Sequence, residues 1–115
     1  MKEFLLLFRN QTAENGYLLS PEEMANEMPK WRDWIGEVIQ SGKFVATQPL
    51  DYEGVVIRPG SVTDGPYVEM KEILAGYLIC KVNSMEEAIA IGKKCPILNY
   101  PKGSLEVRQI TPFQP

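Results

Sequence analysis

The chain contains no histidine among its 115 residues. That absence removes the side chain that titrates near neutrality, the imidazole that most often ligates metals, and the usual proximal haem ligand. Proton transfer near pH 7 would then rest on raised carboxylates, lowered lysines, cysteine or tyrosine, each in a strongly perturbing pocket. Cysteine is scarce as well: Cys80 and Cys95 have neither the spacing of a metal knuckle nor that of a CxxC pair, and read as reduced core thiols. The one basic neighbour of Cys80, Lys81, points to the other face of a strand, so nothing supports an activated thiol. Long apolar runs are missing; the longest near the start covers residues 4–8 and ends at Arg9, too short for a signal-peptide core or a membrane span. Basic runs are missing too, none exceeding Lys93-Lys94, and the formal net charge is −3. A phosphate backbone has no electrostatic footprint to meet. Nucleic-acid and membrane partners are therefore not expected, and the chain reads as cytoplasmic. No dinucleotide fingerprint, phosphate loop, nucleophile elbow or paired-carboxylate motif is present.

What remains fits one domain, residues 1–115, which should bury roughly two-thirds of its unfolded surface. Residues 3–9 form a short apolar run between polar ends, as in a strand buried on both faces. Asn15-Gly16 marks a turn, after which Ser20 and Glu23 form a capping box with Pro21 at the first helical position. The inward stripe of this helix reads Met24, Met28, Trp31, Ile35 and Val38 or Ile39, and Gly42 supplies the stop. Pro29 falls inside that pattern, at a cost of roughly 3 kcal/mol in a straight helix, and predicts a kink or a break near Met28. Trp31 is expected in the core, Trp34 at a flank or at the mouth of a pocket. Residues 43–50 and 54–58 read as strands, the second stopped by Pro59-Gly60, and residues 75–82 form a further strand apolar on both faces. Ser84 and Glu87 make a second capping box, and Met85, Ala88, Ile89, Gly92 and Cys95 share the face of a short helix ended by Pro96. Residues 104–110 close the chain as a strand with one apolar and one charged face.

This order predicts a ferredoxin-like α+β sandwich, an antiparallel sheet with both helices on one face. The other face of the two central strands would then expose an apolar patch, which a second copy of the chain would cover.

The segment Val62-Thr63-Asp64-Gly65-Pro66-Tyr67-Val68-Glu69-Met70-Lys71-Glu72-Ile73 through Tyr77 resembles the signature of the YCII-related, or DGPF, family. The resemblance extends to the first strand and both helices, nearly the whole chain. It implies pairing of two sheets as a dimeric α+β barrel, the cover that the apolar strands independently require. It also implies a role for Asp64, because an aspartate at this DGP position has been proposed as half of a His-Asp acid/base site. Here the chain departs from the family: without histidine no such dyad can form, and its partner position would lie on the first helix near Glu27.

Asp64 is thus the candidate catalytic residue, although an aspartate before glycine is also ordinary turn chemistry. Lys71 could pair with Asp64 or hold an anion; Glu69 and Glu72 flank it. Tyr67, Tyr77, Trp31 and Trp34 could wall a pocket between the sheet and the first helix. Arg9 and Arg108, on strands, could clamp a carboxylate or pair with Glu3 or Glu106. The expected ligand is a small organic anion or aromatic molecule, with no metal and no cofactor. Two classes of function stay open: a small-molecule acid/base enzyme using Asp64, and a non-catalytic accessory or regulatory dimer.

Overall fold

A computed structural model describes residues 1–11, 21–51, 53–65 and 72–115, with the backbone alone at Gln11, Pro21, Asp64, Gly65 and Glu72. The strands are β1 (Lys2–Gln11), β2 (Phe44–Pro49), β3 (Gly54–Arg58), β4 (Ser61–Gly65), β5 (Glu72–Val82) and β6 (Ser104–Gln109). The helices are α1 (Pro21–Gln40) and α2 (Met85–Gly92), the latter followed by a 3-10 turn at Pro96–Asn99. The main sheet has the order β2-β5-β1-β6, antiparallel throughout, and β3 and β4 form a separate hairpin. This is the expected α+β, ferredoxin-like arrangement.

Period-two alternation sorts the side chains of the sheet. Phe4, Leu6 and Phe8 of β1 and Leu78, Cys80 and Val82 of β5 are buried on the helix side, with Trp34, Val38, Ala88, Cys95 and Ile97. The alternate residues lie on the other face, where Leu5 pairs with Ile79 and with Arg108, and Leu7 with Tyr77 and with Glu106. No described element covers that face, and its central apolar side chains are only half-buried.

Pro21 does open α1, and Gly42, at φ 76°, follows its end; Ser20 of the predicted capping box lies outside the described residues. Of the kink or break expected at Pro29, the break is absent, since α1 runs unbroken from Pro21 to Gln40. The reason lies in exposure: Ala25, whose carbonyl loses its partner to the proline, sits among exposed residues where water can satisfy it. The inward stripe also needs correcting. Met24 and Met28 are exposed, and along the stripe burial begins at Trp31, because only from there on do its side chains pack against the buried core. The two tryptophans exchange their expected roles: Trp34 is buried at 4% exposure and Trp31 is half-buried.

In α2 the Ser84 hydroxyl caps the Glu87 N–H at 3.3 Å, while the Glu87 carboxylate returns to Asn83 N–H at 3.5 Å, one residue before the cap. Ala88, Gly92 and Cys95 face the core as expected, but Met85 and Ile89 are exposed and Ile91 packs inward instead. Gly92 sets this phase. A Cβ there would stand 3.0 Å from a Leu105 methyl, so the missing side chain lets α2 lie directly on β6.

Strand β4 was not expected from the sequence. Pro59-Gly60 proves to be the two-residue turn of a hairpin, with Gly60 at φ 80°, and not merely a stop. The dipeptide itself carried the signal, but the polar sequence after it masked the strand.

Candidate functional site

Three rings occupy the junction of β1 and α1. Phe8 lies 5.1 Å from Trp31 and 5.8 Å from Trp34, and the two indoles meet edge-on at 5.9 Å. Both indole N–H groups have acceptors on the second βα unit: Trp34 donates to the Ile91 carbonyl at 3.0 Å, and Trp31 to the Tyr100 hydroxyl at 2.8 Å. The helices are thereby keyed to each other as well as to the sheet. Trp31 reaches a half-buried position with its polar tip anchored, which leaves part of an aromatic wall available.

Around this wall the polar groups are unevenly satisfied. Glu27, one turn before Trp31, accepts from Lys30 Nζ through Oε1 at 3.2 Å, while its Oε2 is buried without a hydrogen-bond partner. Tyr100 has its pKa raised first by burial; the Trp31 hydrogen bond opposes this, and the negative charge of Glu27 adds to it. Asn10, buried beyond Phe8 on the same face of β1, brings an amide to this side of the sheet.

The residues singled out from the sequence divide between two faces. Trp31 stands on the helix side; Arg9, Tyr77 and Arg108 belong to the open side of the sheet. There Arg9 Nε reaches Glu106 Oε1 at 3.4 Å and Arg108 reaches Glu106 Oε2 at 3.7 Å, so one carboxylate engages both guanidinium groups. Asp64 is the penultimate residue of β4, paired across the ladder with Val55, so that strand pairing holds its backbone. Tyr67 and Lys71 lie outside the described residues. An open cleft of about 310 Å³ runs between the C-terminal half of α1 and α2, bounded by Trp34, Val38, Lys43, Glu87, Ile91 and Lys94. Lys43 and Glu87 approach to 3.8 Å across it, and of the residues the sequence offered as pocket walls only Trp34 borders it among those described.

Both cysteines are buried and free, with thiols pushed up by burial, Cys95 to about 12. Neither is a nucleophile at neutral pH. Among the described residues no group of three His, Cys, Asp or Glu side chains could hold a metal ion, and no helix is long and apolar enough to cross a membrane.

The YCII-related domain family matches residues 3–114. The chain belongs to this family. Among solved structures, this YCII-related chain is similar to 5-chloro-2-hydroxyhydroquinone dehydrochlorinase (TftG) from Burkholderia phenoliruptrix AC1100, in complex with 2,5-dihydroxybenzoquinone. The identity is 13%, the TM-score 0.51, and the match covers 93% of each chain, a likeness of fold. No curated protein matches the sequence.

Sequence reasoning missed Tyr100 altogether, and noted Glu27 only as a position. Tyr100 joins the site across 69 residues of sequence, through a 3-10 turn that no local pattern announces. Glu27 lies on a helix turn otherwise solvated, and its buried oxygen emerges only in three dimensions.

Proposed function

We propose that this YCII-related protein binds a small ring-bearing organic molecule as a homodimer, in a pocket near the Asp64-Gly65-Pro66-Tyr67 sequence, with Asp64 as its acid/base group. The observation that carries this reading is the half-buried Trp31 wall beside polar groups with unused hydrogen-bonding capacity, the composition expected of a small-molecule site. The hydroxylated ring bound by the dehydrochlorinase of similar fold supports the size and class of ligand. Tyr67 and Lys71 follow Asp64 in sequence and supply an aromatic edge and a point charge. Arg9, Tyr77 and Arg108 belong to the face that the second protomer covers, and so line the interior between the two sheets.

Without histidine, Asp64 has no imidazole to share a proton with. A fully solvated aspartate, with a reference pKa of about 3.9, is a poor base at pH 7, so acid/base work at this position requires water to be excluded from the carboxylate when the ligand is bound. Asp64→Asn is therefore expected to keep the fold, read by circular dichroism, and to lose at least tenfold in affinity or turnover with hydroxylated benzoquinones. Unchanged binding and turnover would remove Asp64 from the site. The absence of histidine also favours a second reading, a dimeric accessory module that binds the same class of ligand without transforming it. Saturable binding with no product in the wild-type protein would select that reading.

A further inference from the structure

Glu27 Oε2 is a charge-bearing oxygen, buried and without a donor. Such an atom is expensive to leave unpaired, and native structures that keep one generally have an occupant or a function for it. Lys30 does not serve it, because its contact is with Oε1. Tyr100 presents the complementary deficit. Its oxygen accepts from Trp31 at 2.8 Å, which orients the phenol, and its own O–H has no acceptor among the described residues. The two groups sense one another, since the Glu27 charge holds the Tyr100 proton more tightly, yet no hydrogen bond joins them.

We infer that Glu27 and Tyr100 form a subsite for one neutral hydroxyl group on a ring-bearing ligand, the hydroxyl donating to Glu27 Oε2 and accepting from Tyr100. The proposal rests on the small-molecule reading above and adds the group that is recognised. An anionic ligand group would meet the Glu27 charge, and an ammonium would satisfy Oε2 but offer Tyr100 no lone pair. A hydroxyl does both through one oxygen. The half-buried Trp31, with Phe8 at 5.1 Å behind it, supplies a surface for the ring that carries it.

Phenol and anisole test this, because they share a ring and differ in whether the oxygen can donate. The two indole N–H signals of the full chain, followed by ¹⁵N NMR, report binding: Trp31 is bonded to Tyr100, and Trp34, bonded to the Ile91 carbonyl, serves as the internal reference. The expected result is a saturable shift of the Trp31 signal with phenol and at least tenfold weaker binding of anisole. Glu27→Leu and Tyr100→Phe should each reduce phenol to the level of anisole. Glu27→Leu should also melt close to the wild type, because it removes a buried unpaired oxygen and, with Oε1, only the exposed contact to Lys30. Equal binding of phenol and anisole would overturn the hydroxyl subsite while leaving a ring-binding pocket standing. A phenol preference that survives both variants would place the recognition elsewhere, and binding of neither compound would overturn the proposal as well. The wider reading fails by its own route, through Asp64→Asn and the quinones.

Discussion

Cys95 shows how far burial alone moves a proton. The thiol lies in the core and its pKa is pushed from 9.0 to about 12 by loss of solvent. Above pH 9 the unfolded chain therefore releases a proton that the folded chain keeps, and the stability present below pH 9 is lost as the pH rises towards 12. The slope is about 1.4 kcal/mol per pH unit for one such group. Cys80 and Tyr100 are raised in the same direction and steepen the loss. With no histidine to titrate, the urea midpoint is expected to stay nearly flat between about pH 6 and 8 and then to fall from about pH 9. Cys95→Ala should make that fall shallower even if it lowers the plateau; an identical slope would show that the thiol titrates alike in both states. The inert character of the cysteines was legible in the sequence because it needed only their apolar strand and helix-end positions. The assignment of Trp31 and Trp34 was not legible. Both stand within reach of the inward side of α1, and the choice between core and flank was made by Ile91 and Tyr100, the distant acceptors of their N–H groups.

At the level of elements, capping and turn residues told more than apolar periodicity. Pro21, Gly42 and Ser84 mark ends that the structure keeps, because each acts on its own backbone. The stripes of α1 and α2 were only partly right, since periodicity finds an apolar face without showing whether anything lies opposite it; Met24, Met28 and Ile89 have the correct spacing and remain exposed. Pro29 belongs to the same argument. It sits in an exposed turn of an unbroken helix, where it removes one backbone bond without admitting a break. Pro29→Ala would restore the donor to the Ala25 carbonyl. The gain expected is about 1–2 kcal/mol, less than the roughly 3 kcal/mol of a buried helix interior because that carbonyl is already open to water. Urea unfolding measures it directly; no gain would mean that the turns before Trp31 contribute nothing to the cooperative unit.

At the scale of the whole molecule, the open face of the sheet dominates. The chain measures 42 × 39 × 18 Å, and its thin dimension has room for one sheet and one layer of helices. Its radius of gyration of 15.5 Å exceeds the roughly 13 Å usual for a compact chain of this length. Leu5, Leu7, Tyr77 and Ile79 occupy the middle of the face, and Glu3, Lys81, Arg9, Glu106 and Arg108 surround them, an apolar centre with a charged rim. That is the anatomy of a protein interface. The β3-β4 hairpin adds exposed Val55, Ile57 and Val62, and a two-stranded ribbon is marginal in water unless something packs on it. Two copies related by a two-fold axis would bury both surfaces at once, each patch meeting itself. The protein is therefore expected to show twice the chain mass by light scattering at micromolar concentration, and to have a melting temperature that rises with concentration. Leu7→Asp places a carboxylate in the centre of the patch, next to Glu106 on the neighbouring strand, where its desolvation would have no compensation. It should yield monomers or unfolded chain, whereas Leu98→Asp, at an exposed leucine of the 3-10 turn on the helix side, should leave the dimer intact. A wild-type protein that scatters as a monomer at these concentrations would mean that the sheet face is covered by something other than a second copy.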